Sequence, residues 1–184
     1  MTSAETAFLQ GRGCKILPTY NGTSNTPGSV QGGFAEGQND AGAAADAAQA
    51  LGIPAGIAIY ADIEGAWAVT SDWIRGWATA ITARNFVSGL YGDCTPGSTF
   101  EQAFCAAQAV EPTAATSFLW SMQPEPGPQC RAAAAAPAYG PARPGCGGSV
   151  VLWQYTEDCW EDTLGVNAGI DMDLAMDAAV AVMW

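Results

Sequence analysis

The chain has 184 residues, 49 % of them apolar and seven of them Trp, with 18 acidic against 6 basic side chains and a formal net charge of −12. That length and composition suit a single folded domain over 1–184 with a sizeable core, not a disordered chain, and the charge argues against nucleic acid or an anionic membrane surface as a partner. Histidine is absent, which removes Ser-His-Asp and Cys-His catalysis and His-ligated zinc, and leaves proton transfer to Asp, Glu, Tyr, Lys or Cys.

In chain order, TSAETAFLQGRG reads as a helix opened by Thr2 or Ser3, with Glu5 placed for a capping box and Gly as the stop. CKILPTYN (14–21) reads as a strand, and a Gly/Ser/Thr/Asn loop follows. A helix is expected over 37–52, capped near Asn39 or Asp40, then a strand over 55–64. SDWIRGWATAITARN (71–85) is a helix capped by Ser71, with Ile74, Trp77, Ala78 and Ile81 on one face. A strand (87–93), a helix (97–110) and a strand (116–122) come next. The stretch 123–148, rich in Pro, Gly and Ala, interrupts the rhythm as a loop; a strand over 149–156 and a strand passing into a helix over 168–183 complete the chain.

Strands alternating with helices predict an α/β fold: about six parallel strands with crossover helices, a partial TIM-type barrel. No GxGxxG follows a first strand, so a dinucleotide-binding fold is disfavoured, and no cofactor is expected. No run approaches the roughly 20 apolar residues of a membrane span, and the start lacks the basic and apolar regions of a signal peptide.

Polar and aromatic groups gather at the expected strand ends: Tyr20, Tyr60, Asp62 and Glu64, Tyr91 and Asp93, Trp120, Gln154 and Tyr155, Asp171 and Asp173. Such a gathering is what the active face of a parallel barrel looks like. Within IYADIE (59–64), alternation puts Tyr60, Asp62 and Glu64 on one face and Ile59, Ala61 and Ile63 on the other. Carboxylates two apart lie about 7 Å from each other by the strand rise. Their repulsion raises one pKa, the device by which a glycosidase keeps a proton donor charged with its proton. Asp171 and Asp173 repeat the spacing on the last strand; a solvated strand end or a helix cap is the plainer reading of either pair. Trp67, Trp73 and Trp77 are expected in the core or at its rim. DMDLAMD lacks the glycine and spacing of an EF-hand, so no metal site is expected.

The six cysteines form no CxxC pair, and their wide spacing suits disulfides in an oxidising compartment. Cys130 with Cys146, closing the Pro/Gly/Ala loop, is the first expected pairing, at about 3 kcal/mol of stabilisation. Cys94 with Cys105 is the second.

Taken in this order, IYADIE, SGLYGD, LWQYT and GIDMDLA resemble the family-25 glycoside hydrolases, bacterial and phage lysozymes that cut peptidoglycan between N-acetylmuramic acid and N-acetylglucosamine. KILPTYN followed by GQNDAGAAADAAQALGIPAGIAIYADIE is closer still to their relatives, the glycoside-hydrolase-like domain of unknown function 1906. The resemblance implies Glu64 as general acid, with Asp62 beside it to orient or charge-stabilise the substrate's acetamido group. It also implies that Asp171 is the acid of the final strand, with Asp173 standing where the family has Asn, and that Gln154 and Tyr155 belong to its WQY strand. Tyr20, Tyr60, Tyr91, Asp93 and Trp120 complete the expected substrate-binding set.

That family begins with two further strands, and this chain starts at what corresponds to the helix after them, so a partner chain completing the barrel is among the expectations. Three functions stay open: a muramidase-like hydrolase, a wall-glycan-binding module, and a structural part of a phage or cell-surface assembly. Cell-wall glycan is the expected partner. The expected location is extracellular, on the wall or a virion, of actinobacterial or phage origin.

Overall fold

The computed structural model describes residues 1–122, 136–160 and 169–184, with only the backbone of 158–160, 169 and 170. Thr2 caps α1 (Ser3–Gly11), and the Glu5 carboxylate accepts the Thr2 N–H at 2.6 Å, the expected capping box. The strand expected over 14–21 contracts to β1 (Thr19–Tyr20), because Pro18 brings no ladder N–H and Gly22 follows closely. Before it, Ile16 exchanges backbone hydrogen bonds with Trp184, at 2.8 and 2.9 Å.

Helix α2 (Phe34–Ala50) starts ahead of the expected cap: the Glu36 carboxylate accepts the Gly33 N–H at 2.8 Å. Asp40, freed from capping, sits within the helix and accepts the Ser29 hydroxyl at 2.6 Å and the Trp73 indole N–H at 2.9 Å. After β2 (Ala58–Asp62), α3 (Ser71–Ala83) is capped by Thr70, one residue before the expected Ser71, with its hydroxyl accepting the Trp73 N–H at 3.1 Å. Then come β3 (Val87–Gly92), α4 (Thr99–Gln108) capped by Ser98, and α5 (Pro112–Ala115), a short helix the sequence pattern does not announce. β4 (Phe118–Ser121), β5 (Ser149–Trp160), β6 (Gly169–Ala175) and α6 (Asp177–Val180) complete the order.

The six strands form one sheet in sequence order, curled into a half-barrel. β1 to β5 run parallel, as expected, but β6 is antiparallel to β5. The physical reason lies in the connection. A parallel return needs a crossover of a dozen or more residues, and only 161–168 separate these two strands, so they form a hairpin.

Ile59, Ala61 and Ile63 face the helices, in a core with Ala41, Ala45, Trp73, Trp77 and Ile81, as the alternation in IYADIE implies. Trp73 and Trp77 stack with ring centroids 5.6 Å apart, and the Trp77 indole N–H reaches the Gly89 carbonyl at 3.2 Å. α2 and α3 approach through glycines. A Cβ on Gly37 would lie 2.1 Å from the Trp73 carbonyl oxygen, and one on Gly76 would lie 2.0 Å from that of Phe34. Only glycine permits that spacing of the two backbones.

The concave face is filled from below. Ala58, Tyr60, Val151, Leu152 and Ala179 form a second cluster, with Val182 and Met183 against it. The C-terminal tail crosses from one side of the sheet to the other: Met176 N–H bonds the Val151 carbonyl, Ala58 N–H bonds the Val182 carbonyl, and Trp184 pairs with Ile16. It joins the beginnings of β5, β2 and β1, leaving the opposite rim for the site.

Among the described cysteines, Cys105 on α4 is bonded to Cys146. Both expected pairings are thereby corrected. The returning loop lies along α4, where Gln108 Nε2 donates to the Cys146 carbonyl at 3.0 Å and Gly145 N–H donates to the Glu101 carboxylate at 3.0 Å. Cys94 is instead a buried thiol, pushed up to about 12 by burial, which outweighs the opposing hydrogen bond with Ser121. Cys14 is free and exposed; Cys130 and the side chain of Cys159 lie outside the described residues.

Candidate active-site cleft

Every strand brings a residue to one cleft at the rim. Thr19 (β1), Asp62 at the end of β2, Glu64 two residues beyond, Tyr91 (β3), Trp120 (β4), Gln154 (β5) and Asp171 (β6) line a volume of about 160 Å³. The ladder explains the row: Asp62 is in register with Tyr91, and Tyr91 with Trp120, so their side chains leave the same face side by side. Asp171 reaches this rim because β6 is antiparallel, which brings the first half of that strand beside the later part of β5.

The Asp62 and Glu64 carboxyls are close enough to share a hydrogen bond, and the two do not titrate alike. Burial raises Asp62, and the hydrogen bond from Glu64 partly offsets that rise. Glu64 is raised by burial first, then by the Asp62 charge, by the same hydrogen bond, and by the charges of Glu157 and Asp171. Both carboxyls are held above their usual range, Glu64 by the neighbouring charges as well as by burial. Thr23 donates its hydroxyl to the Asp62 carbonyl, tying the loop after β1 to this strand end. Glu64 itself starts a turn in which Trp67 N–H returns to the Glu64 carbonyl at 3.0 Å and Gly65 takes a positive φ of 43°.

The far wall is hydrogen-bonded. The Tyr91 hydroxyl donates to Gln154 Oε1, and Gln154 Nε2 donates to Asp171 Oδ2 at 2.8 Å. Trp120 forms the aromatic surface. Its ring packs edge-on against Tyr91 and Tyr60, at 4.8 and 5.9 Å between centroids, and its indole N–H donates to Asp173 Oδ1 at 2.7 Å. Asp173 is raised to about 6, mainly because protein surrounds the carboxyl, with the Asp171 charge adding and the Trp120 hydrogen bond opposing. Part of its surface still meets water, which moderates that rise.

Of the residues expected in the site, Asp62, Glu64, Tyr91, Trp120, Gln154 and Asp171 meet in the cleft, with Asp173 behind Trp120. Four do not line it. Tyr20 points to the helix side, 6.0 Å from Trp77, beside an apolar groove of about 340 Å³ that also holds Ile16, Leu51, Ile53 and Trp184. Tyr60 is fully buried beneath the floor, its ring across Gly89, where a Cβ would meet it at 2.6 Å. Asp93 serves a turn, accepting the Thr95 N–H at 2.9 Å. Tyr155 is buried on the other side of β5, against Trp153 and the Met172 sulfur. Thr19 is the lining residue that sequence reasoning passed over. Strand alternation carried the signal, since only one of Thr19 and Tyr20 can face inward.

Residues 1–175 match the Rv2525c-like, glycoside hydrolase-like domain family, and the chain belongs to that family. Among solved structures it is similar to an uncharacterised B. stearothermophilus protein, at 31 % identity and a TM-score of 0.88, over 100 % of this chain and 80 % of that one. It also shares its fold with the Mycobacterium tuberculosis Tat-secreted protein Rv2525c, solved with L-tartrate, at 18 % identity and a TM-score of 0.63, over 95 % of this chain and 74 % of that one. A second crystal form of Rv2525c, with HEPES, gives 18 % identity and 0.61 over the same shares. No curated protein sequence matches.

Proposed function

We propose that the cleft hydrolyses an N-acetylated wall glycan, peptidoglycan being the substrate, with Glu64 as proton donor. The carrying observation is the carboxyl pair: Glu64, raised by burial and by the Asp62 charge, lines one cleft with Asp62 and the Trp120 ring. Because the two carboxyls are within hydrogen-bond reach, Asp62 cannot stand on the opposite face of a scissile bond as a nucleophile would. It suits a substrate-assisted route instead. Glu64 gives its proton to the glycosidic oxygen, which leaves with the bonding pair. The substrate's own acetamido oxygen bonds to the anomeric carbon, while Asp62 accepts the acetamido N–H. Water then attacks that carbon, the acetamido oxygen leaves it with the bonding pair, and the proton from water returns to Glu64. Tyr91, Trp120, Gln154 and Asp171 hold the sugar by stacking and hydroxyl contacts.

The shallow cleft and the contact between Asp62 and Glu64 favour a second reading, a module that holds glycan without cutting it. Incubation with purified peptidoglycan separates the two. New reducing ends that disappear in Glu64→Gln support hydrolysis; retention on the wall without release supports the binding module. No retention and no release, with a stable multimer on a sizing column, would point to an assembly component, in which a partner chain could extend the sheet along β1.

We further propose an exported protein acting on the wall. The Cys105–Cys146 bond fits an oxidising compartment, and the related Rv2525c is described as Tat-secreted. No helix among the described residues is long and apolar enough to cross a membrane.

A further inference from the structure

Asp171 stands where the β5–β6 ladder is irregular. Gln154 pairs with Asp173 and Thr156 with Met172, but the next pairing is Cys159 with Ile170, so Asp171 falls between two register steps. Regular ladder geometry does not set the direction of its side chain. A side-chain relay reaches it instead: Tyr91 hydroxyl to Gln154 Oε1, then Gln154 Nε2 to Asp171 Oδ2 at 2.8 Å. Both relay residues are packed in place, Gln154 at 5 % and Tyr91 at 7 % exposure.

The direction of the central amide follows from chemistry. A carboxylate accepts hydrogen bonds, so the NH₂ group must face Asp171, and this leaves Oε1 toward Tyr91, whose hydroxyl can donate to it. The opposite amide orientation would set two acceptors against each other. Burial and then the charges of Glu64, Glu157, Asp62 and Asp171 hold the Tyr91 phenol above its ordinary range, so it keeps the proton it donates.

We propose that Tyr91 and Gln154 are positioning residues that lock the Asp171 carboxylate in one orientation at the cleft before any glycan arrives. The consequence for turnover rests on the hydrolase reading; the relay itself does not. The test is therefore NMR of the Gln154 side-chain amide in the intact protein. Asp171 is exposed, so Asp171→Ala, which removes the acceptor, leaves the core alone. In that variant, and separately in Tyr91→Phe, one Gln154 amide proton is expected to move toward the position of a free amide, while remote Arg84→Gln leaves it unchanged. An amide resonance indifferent to Asp171→Ala overturns the proposal even if Tyr91→Phe fails to fold. A side chain that merely fills space would give that indifferent result.

If the wild type also releases reducing ends, Tyr91→Phe should lower kcat about tenfold and shift KM by less than about twofold, because orientation and not uniform binding is lost. A wild type without activity counts against hydrolysis and leaves the amide result to decide the relay.

Discussion

The helical layer outside the sheet and the carboxylate rim at its mouth use polar groups in opposite ways. Outside, Asp40 is taken by two donors, the Ser29 hydroxyl and the Trp73 indole, and the buried Glu101 carboxylate receives the N–H groups of Gly97 and Gly145. At the rim, Asp62, Glu64, Asp171 and Asp173 crowd one another with no basic side chain among the described lining residues, and Asp62, Glu64 and Asp173 are raised. Beneath them the Tyr60 hydroxyl is fully buried without a hydrogen-bond partner among the described residues. The outer layer is arranged for stability. The rim gives some of it up by crowding and burying acids, which is where a candidate active site is expected to break the rules of a core.

If that contrast is right, the outer layer should suffer the largest losses. Cys105→Ser removes a link spanning 41 residues and should cost about 4 kcal/mol by the chain-entropy argument, measured by denaturant unfolding under oxidising conditions. An unchanged midpoint would break the comparison at its strongest point. Gly76→Ala forces a methyl against the Phe34 carbonyl, and a loss of about 3 kcal/mol is expected as α2 and α3 are pushed apart. Asp40→Ala leaves the Trp73 indole N–H buried without its acceptor, at about 2 kcal/mol.

The two regions also differed in how far the sequence disclosed them. The helical layer was legible from periodicity: Ile74, Trp77, Ala78 and Ile81 lie buried on one face of α3, as their spacing implies. Its errors were local competitions between caps. Thr70 displaced Ser71, and Glu36 opened α2 while Asp40 went to Trp73. The direction of β6 was missed because residue alternation carries no sign; the short 161–168 connection held that information.

At the rim, position near a strand end did not by itself decide which side chains reach the cleft. Asp62 and Glu64 followed the pleat into the cleft. Asp93, also at a strand end, was drawn into a turn by the Thr95 N–H, Tyr20 fell on the helix side of its strand, and Tyr155 is buried against Trp153 and Met172. The Cys105–Cys146 pair depends on where a long loop returns along α4, which no local spacing encodes.

The smallest expected effect has the opposite sign and is the sharper test of the contrast. A carboxyl raised to about 6 in the fold, against about 4 in the unfolded chain, binds its proton more tightly when folded. The stability it contributes is therefore complete below pH 4 and lost as pH rises through 6. Asp173→Asn keeps an acceptor oxygen for the Trp120 indole while abolishing the charge. The variant should thus melt slightly higher than wild type at pH 7 to 8, with the gain shrinking toward zero as pH falls to 4. Thermal unfolding across that range checks it. A variant that melts lower at pH 7 by the same amount it does at pH 4 would mean that the Asp173 charge is no burden on the fold, and that the rim, like the helical layer, is built for stability.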